Sequence, residues 1–566
     1  MKKNFLFACG LATMLLAGCS DSDNVADGGN SLDPNATGYL SLKVALPSTS
    51  GYAGRADLDQ SNDQKEQGEV DEYKVHSIQL ICFDNSGLVL KNATYSDGLA
   101  SSLPPTPANG ITTEIALPVQ DVPQTVTKVL VLVNYPSTTG ADSDFPDITE
   151  GTTKWDNIKD SKFAGNTDLI GGMDKNKFFM SNTTLSNGTG TTLLVDVVPQ
   201  KTQAEALANP FTVNVERAVG KVSLSHAVSA WTDWTYKLSA TGYVNDEVEF
   251  QNWVLDNTNK ETYVIRHYET AWEAYKGTGY DQRFYGSTTY KGNSGNEYYR
   301  TYWAKDLNYD GTGSGTFNTP KSAEEISTGM DVADYCLENT FDVNNMKGTQ
   351  TTRVLLKAKY TPSSIKTALE SSADKNWYRI GSSITPFTSG QINTLIKDAL
   401  NAEHIAPGVT MNISNYNAGE NAFNEANFNG WSDDDDVKTK QLDCVKRTVG
   451  KITCFENGLC YYEVRVQHFG KKYTPWGGDD NAPAIGTDKY YDYVALDTDV
   501  SENMHYLGRY GIVRNNWYQL ELGKVNAPGT PTVPSLSDKA DDEQKYYIQA
   551  TVRIMDWAVR KQTVDL

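Results

Sequence analysis

Hydrophobic and polar positions alternate without interruption over residues 39–46. The apolar positions are Leu40, Leu42, Val44 and Leu46, and the positions between them are Tyr39, Ser41, Lys43 and Ala45. A period of two over this length predicts a half-buried β-strand. Pro47 ends the pattern, because proline cannot donate a hydrogen bond to a neighbouring strand.

The stretch after this strand is small and polar, and it leads to a single arginine, Arg55. Exposed loops of this composition are preferred sites of proteolysis. We therefore predict that residues 39–46 form a removable strand. It stays buried while it is attached, and a cut between Arg55 and Ala56 releases it.

Short apolar or alternating runs continue along the chain and predict a mostly β protein. Ile78, Leu80 and Cys82 alternate, and Val126–Val133 is apolar enough for a central strand. Helical patterns are few, and the clearest is Gln391–Ala402. Thr388 and Gln391 can form its capping box, and the residues predicted to share its apolar face are Ile392, Leu395, Ile396, Ala399 and Leu400.

The last 21 residues, Tyr546–Leu566, contain two strand-like halves that are broken near Asp556. Ile548, Ala550, Val552 and Ile554 alternate in the first half. In the second half Trp557 and Val559 lie on one face, and Ala558, Val564 and Leu566 lie partly on the other. Either half is able to act as a donor strand that leaves its own fold to complete another. The alternative is an ordinary last strand of the second domain.

Composition excludes some classes of function. The chain has 566 residues, a net charge of −21 and a pI near 4.8, which argues against binding to nucleic acid. Its length suits two or more domains. Five cysteines lie outside the first 19 residues, an odd number with no close CxxC pair, so a disulfide framework is not predicted.

The first residues resemble a secretory signal. Lys2 and Lys3 precede the apolar run Phe5–Leu16, which is too short to span a bilayer as a helix. Leu16–Cys19 resembles a bacterial lipobox, in which Cys19 is acylated and becomes the new N-terminus. Ser20–Asp23 is similar to the acidic surface-export signal of Bacteroidota lipoproteins.

Motifs for catalysis or metal binding are nearly absent from the sequence. There is no HExxH, GxSxG or P-loop pattern, so we predict neither an enzyme nor a cofactor. Asp306–Gly311 matches the opening of a calcium loop, but Phe317 stands where a bidentate Glu belongs, and an Asn/Asp turn is favoured. The acidic run Asp433–Asp436 predicts a solvated loop.

Five motifs in order carry a resemblance to a known family. They are Val215–Val222, Arg300–Tyr309, Tyr335–Phe341, Asn457–Tyr462 and Gly511–Tyr518. With the lipobox, they resemble the fimbrillins of the Mfa type, which are shaft subunits of the Bacteroidales minor fimbrium in the type V pilus family. The resemblance runs from the lipobox to the C-terminus and is strongest after residue 211. The family's minor-fimbrium member has a long Pro-rich stretch before its last strand, of which only Asn526–Pro534 has a counterpart here.

The resemblance implies a fold of two transthyretin-like, Greek-key β-sandwich domains with a few short helices. It also implies export as a lipoprotein to the outer membrane, removal of the N-terminal strand by an arginine-specific surface protease, and head-to-tail polymerisation by strand exchange. The implied partners are copies of the chain, with anchor and tip subunits, in a surface fimbrium that serves adhesion and biofilm formation.

These inferences divide the chain into five segments. They are a lipoprotein signal (1–19), a tether with the removable strand (20–55), an N-terminal sandwich (56–215), a C-terminal sandwich with insertions (216–545) and a donor segment (546–566). A second hypothesis remains open, namely a monomeric surface lipoprotein that binds glycan through exposed aromatic side chains.

Overall fold

The computed structural model describes most of the chain. The described residues are 36–46, 69–96, 114–136, 143–165, 168–171, 174–186, 190–227, 231–269, 285–291, 297–301, 303–311, 317–318, 321–468, 507–539, 548–555 and 560–561.

Ten strands precede a short helix, α1 (Gln203–Ala208), in the chain, and an eleventh follows it. These strands are β1 (Thr37–Ala45), β2 (Ser77–Phe83), β3 (Val89–Ser96), β4 (Glu114–Pro123), β5 (Lys128–Val133), β6 (Lys162–Ala164), β7 (Met180–Asn182), β8 (Leu185–Ser186), β9 (Thr191–Thr192), β10 (Val195–Asp196) and β11 (Phe211–Arg217).

One residue, Ala218, separates β11 from the first of the remaining described strands. They are β12 (Val219–His226), β13 (Trp231–Thr232), β14 (Thr235–Lys237), β15 (Glu247–Asp256), β16 (Glu261–Tyr263), β17 (Tyr285–Lys291), β18 (Glu297–Thr301), β19 (Thr328–Gly329), β20 (Asp334–Leu337), β21 (Arg353–Thr361), β22 (Trp377–Ile380), β23 (Thr410–Met411), β24 (Gly419–Asn421), β25 (Phe428–Asn429), β26 (Ile452–Phe455), β27 (Leu459–Arg465), β28 (Trp517–Val525), β29 (Ile548–Met555) and β30 (Arg560–Lys561).

Three larger sheets carry the fold. The first sheet has the order β3-β2-β5-β7-β11-β1-β4, with β10 on β5. The second has the order β20-β12-β28-β29-β30, and the third has the order β13-β14-β15-β21-β27, with β19 on β15. Among the described strand pairs, only β1–β11 and β12–β28 are parallel. The mostly β, sandwich-like fold predicted from the sequence is confirmed.

The chain passes from the first sheet to the second at a single residue, Ala218. Strand β11 belongs to the first sheet and β12 to the second. A first core contains the inward side chains of the first sheet, whereas a second core lies between the second and third sheets and includes Trp253 and Tyr518. The domain boundaries themselves stay a prediction.

Three further helices lie in the segment that joins β21 to β27. They are α2 (Lys366–Ser371), α3 (Ser389–Ala402) and α4 (Asp435–Val449). The predicted capping box of α3 is confirmed, because Thr388 accepts from the backbone N–H of Gln391 and the Gln391 side chain reaches back. Within the described ranges, no helix is long and apolar enough to cross a membrane.

The buried face of α3 is narrower than the sequence predicted. Ile392, Ile396 and Leu400 are buried, but Leu395 is 38% exposed. The helix packs against α4 and β23 and shares a third core with Val445 and Ile452. Because one neighbouring helix covers only one stripe of α3, the flank that carries Leu395 stays in solvent.

The prediction of a solvated loop at Asp433–Asp436 is correct in that all four residues are exposed, but Asp435 and Asp436 belong to the first turn of helix α4. Asp434 is the N-cap and accepts from the backbone N–H groups of Asp436 and Val437. Asp435 and Asp436 occupy the first turn, where negative charge is favoured by the helix dipole. The run is a helix start signal.

Single turns of 3-10 helix connect many of these elements. Those with described bounds are Val70–Tyr73, Trp155–Asn157, Asp168–Ile170, Val343–Asn345, Ser363–Ile365, Ile413–Asn415, Glu425–Asn427 and Glu456–Gly458.

The five cysteines outside the first 19 residues are all free and buried: Cys82, Cys336, Cys444, Cys454 and Cys460. Cys82 lies in β2 in the first core, as predicted for a small core hydrophobe. Burial raises the pKa of its thiol to about 12. The thiol therefore stays protonated and unreactive at neutral pH.

Candidate functional site

Strand β1 lies inside the first sheet, between β11 and β4. It runs parallel to β11, with Leu42 opposite Phe211, and antiparallel to β4, with Leu42 opposite Leu117. Both edges of β1 are therefore hydrogen-bonded to other strands. Its removal would leave a gap in the sheet, flanked by two strands without a partner on that side.

The inward side chains of β1 and the residue after it belong to the first core. Leu40, Leu42, Val44 and Leu46 are each at most 1% exposed. Burial of these four side chains contributes about 1.5–3 kcal/mol each, or about 6–12 kcal/mol in all. The alternation in the sequence correctly located this inward face.

The outward face of β1 is more covered than a half-buried strand would be. Ser41 is 4% exposed and Ala45 is 7% exposed, while Lys43 is half-buried. Helix α1 lies against β1 and β4. The prediction of a half-buried strand is therefore wrong at Ser41 and Ala45, because periodicity shows which residues alternate but not what packs over them.

The chain directly before α1 also holds the start of β1. Tyr39 and Gln200 exchange two backbone hydrogen bonds, of 2.8 and 2.7 Å. Sequence reasoning missed this contact and α1 as well. The capping box Thr202–Glu205 is a signal that could have located the helix.

The chain that begins at Glu69 is anchored by buried charge. The Glu72 carboxylate lies 2.8 Å from Lys221 Nζ and accepts the hydroxyl of Tyr335, and all three side chains are buried. Arg217 Nε donates to the Glu72 carbonyl oxygen at 3.0 Å. Burial, with the charge of Glu72, raises the pKa of Tyr335. A cut within residues 47–68 separates β1 covalently from this anchored chain.

We expect Lys221→Met to lower the free energy of unfolding by about 3–5 kcal/mol, because it removes the Lys221 ammonium from the buried Glu72 carboxylate. Chemical denaturation of the precursor measures the change. Lys128→Met is the matched control, since Lys128 pairs with Asp196 at 2.7 Å on the surface and such pairs contribute about 0–1 kcal/mol. Equal losses in the two variants would contradict a stabilising role for the buried pair.

The residues predicted for processing and donation lie outside the described residues. They are the lipidated Cys19, the cleavage-site residues Arg55 and Ala56, and the donor residues Trp557, Ala558, Val559, Val564 and Leu566. Their roles stay predictions. The structure describes parts of the backbone near the last group, in β29 and β30.

The predicted donor segment has backbone partners within its own chain. Strand β29 pairs antiparallel with β28, and β30 pairs with β29 through Arg553 opposite Lys561. The pairing of β29 with β28 is what we expect if the first half of the segment is an ordinary last strand of the second domain. It is also compatible with a segment that leaves later, since β30 lies at the edge of the second sheet.

The segment between β28 and the donor region is fastened to the third sheet. Thr530 and Tyr461 exchange two backbone hydrogen bonds. The buried Arg353 donates from Nη2 to the carbonyl oxygen of Pro534 at 2.7 Å. The chain from Ala527 to Lys539 therefore has a defined path along β27 and the start of β21, where the sequence only indicated a shortened Pro-rich stretch.

The calcium-like stretch forms a turn with its carboxylate directed inward. Asp306 accepts from the backbone N–H groups of Asn308 and Thr340, and from the Asn259 amide. Burial raises the pKa of Asp306 to about 8, although these hydrogen bonds oppose the rise. Both carboxylate oxygens are engaged by protein donors, which favours the predicted Asn/Asp turn.

The C-terminal part of the chain matches a model of a known protein family. Residues 486–563 match the family model "Major fimbrial subunit protein type IV, Fimbrillin, C-terminal". No curated protein matches the chain.

Solved structures of fimbrial proteins are similar at low sequence identity. A fimbrillin from Porphyromonas gingivalis is 12% identical, with a TM-score of 0.34, and the alignment covers 95% of this chain and 100% of that one. The C-terminally truncated tip fimbrial protein Mfa3 from the same organism is 11% identical, with a TM-score of 0.34 and coverage of 92% and 100%. Because both TM-scores lie below 0.5, these two likenesses support no conclusion by themselves. The family match at residues 486–563 confirms the resemblance to fimbrillins that the sequence motifs indicated.

Proposed function

We propose that this chain is a structural subunit of a cell-surface fimbrium that polymerises by strand exchange. The precursor is acylated at Cys19 and held at the outer membrane, and an arginine-specific protease then cuts after Arg55. The resulting fibre serves adhesion and biofilm formation, together with anchor and tip subunits. The single observation that carries the proposal is the position of β1, which is interior to its sheet although one cut separates it from the chain that follows.

The proposal follows from what the loss of β1 exposes. Strands β11 and β4 each lose a row of hydrogen-bond partners, and the first core opens where Leu42 and Val44 were buried. Unpaired strand edges beside an apolar groove bind an added strand through main-chain hydrogen bonds. A strand from a second copy of the chain would fill the groove and link the subunits head to tail.

The cut controls the timing of assembly. While the chain is intact, β1 is present at its groove at an effective concentration of about millimolar or more. A donor on another molecule cannot displace it under those conditions. Cleavage removes the tether, so that β1, once released, diffuses away. The donor is drawn from Tyr546–Leu566, whose apolar residues alternate as those of β1 do.

One experiment separates this function from the glycan-binding alternative. Surface protein is purified from cells and run on a denaturing gel without boiling, and its N-terminus is sequenced. A ladder of subunits that begin at Ala56 supports the fimbrial role. A single band that is still acylated at Cys19 supports the monomeric binder and would contradict the proposal.

The burial of the aromatic side chains argues against the alternative. Each tryptophan in the described residues is buried or half-buried, and the exposed large hydrophobic residues there are aliphatic. A glycan platform requires an accessible aromatic face, and none of the described tryptophans is fully exposed.

The contribution of β1 itself is testable after cleavage. We expect the double substitution Leu42→Ser and Val44→Ser to weaken the self strand by about 4–8 kcal/mol, because two fully buried side chains are lost. Cleaved variant protein should polymerise faster than wild type in a time-resolved assay. Heat resistance of the finished fibres should be unchanged, since β1 is absent from them.

Thr37→Ser is the control for this experiment, because Thr37 is an exposed residue of the same strand. Equal polymerisation rates for the double variant and the control would show that release of β1 is not the controlling step.

A further inference from the structure

We infer that Gly38 and the cover segment (residues 199–209, which includes α1) form a gate that closes only over the chain's own first strand. The inference deepens the proposed function and rests on it for the exchange step. It assigns a specificity role to a glycine outside the alternating pattern, and it predicts that the cover segment stands open in the assembled fibre.

The contact at Gly38 leaves no room for a side chain. A Cβ at this position would lie 2.5 Å from the carbonyl oxygen of Gln200 and 3.5 Å from the Cβ of Pro199. Contacts of 2.5 Å to a backbone oxygen do not occur, so any other residue requires the cover segment to move. Gly38 is buried in a strand, where other residues are also able to adopt the backbone conformation. Glycine is therefore required because the Gln200 carbonyl oxygen lies so close to residue 38, and not because of the backbone conformation.

This close approach lies beside the hydrogen bonds that hold the cover segment to β1. Tyr39 N–H donates to the Gln200 oxygen at 2.8 Å, and Gln200 N–H donates to the Tyr39 oxygen at 2.7 Å. The rest of the cover segment has few buried contacts. In α1 only Ala206 is buried, at 1% exposure, whereas Leu207 is 53% exposed. A displacement at Gln200 therefore acts on a segment with a single buried side chain, that of Ala206.

The donor cannot reproduce the contact. The last glycine of the sequence is Gly529, so every residue of the predicted donor segment Tyr546–Leu566 carries a Cβ. A donor that fills the full length of β1 places a Cβ where Gly38 was, directly against the Gln200 oxygen. The closed gate therefore accepts the strand of its own chain and rejects the donor of another subunit. Exchange requires the gate to open, and the donor then holds it open.

The gate is first tested in the uncleaved precursor, without polymerisation. Ala206→Cys supplies a thiol reporter in the cover segment, and the probe is a small maleimide. We expect Gly38→Ala to raise the labelling rate of this thiol at least about tenfold. Gly190→Ala is the matched control, because a Cβ there meets no atom within 4 Å. An unchanged labelling rate in Gly38→Ala would overturn the inference.

Hydrogen–deuterium exchange of residues 199–209 tests the opening of the cover segment without an introduced cysteine, should Ala206→Cys disturb folding. Faster exchange in Gly38→Ala than in Gly190→Ala supports the gate, and equal exchange contradicts it. After cleavage, release of the β1 peptide should be about tenfold faster in Gly38→Ala, which corresponds to about 1.4 kcal/mol.

The open state is tested in fibres of the wild-type sequence that carry only the reporter. The thiol of Ala206→Cys should be protected in the precursor and reactive in the fibre, whereas that of Leu207→Cys should react in both. Protection of the position-206 thiol in fibres would overturn the inference and leave strand exchange intact. Failure of the cleaved protein to form any fibre would refute the proposed function instead, and the precursor measurements would still decide whether the gate exists.

Discussion

We expect Arg55→Ala to abolish fibre formation while the precursor stays folded, lipidated and monomeric. Without the cut, the inward side chains of β1 remain in the first core, where their burial contributes about 6–12 kcal/mol. The backbone hydrogen bonds to β11 and β4 add about 1 kcal/mol each. The intact link keeps the strand at its groove, so a donor from another subunit has no site to enter. Electron microscopy of cells and the unboiled gel both measure the outcome.

A rescue variant controls for indirect effects of this substitution. Ser50→Arg in the Arg55→Ala background restores an arginine to the same stretch between β1 and the anchored Glu72. Fibres should return with this second change, and their subunits should begin at residue 51. Fibres of normal length in Arg55→Ala alone would contradict a gating cut at this site.

The second large effect is expected from deletion of Ala558–Leu566. The truncated subunit should fold, because β29 keeps its pairing with β28 and only the short edge strand β30 is lost. It should be cleaved and should accept a donor, but it should be unable to extend a fibre. Mixed with wild-type protein, it should shorten the fibres in proportion to its share, since each truncated copy ends the growth of one chain.

The same experiment separates the two halves of the C-terminal segment. A tag fused after Leu566, with no residue removed, controls for a changed terminus. Polymers formed by the truncated protein alone would place the donor elsewhere, with Ile548–Met555 as the next candidate, because its apolar residues also alternate. Ser substitutions at Ile548 and Val552 would then be expected to stop extension.

Local patterns were sufficient for the features that depend on neighbouring residues. The alternation of Leu40 to Leu46 identified the buried face of β1, and the capping box identified the start of α3. These are properties of a few consecutive residues, and the period of a strand or the hydrogen bonds of a helix end are set within them. The same kind of signal is present at α1, in Thr202 and Glu205, and at α4, in Asp434.

The position of β1 in the sheet was decided only by the tertiary structure. Its parallel partner, β11, lies about 170 residues later in the chain, and nothing in the alternation of either strand specifies the other. The cover over its outward face and the anchor formed by Glu72, Lys221 and Tyr335 also join distant parts of the chain. The sequence by itself determined which side chains of the first strand are apolar, and it predicted a protease site at Arg55. Only the fold decided that the strand is interior and covered, because strand pairing and burial depend on contacts between residues that are far apart in sequence.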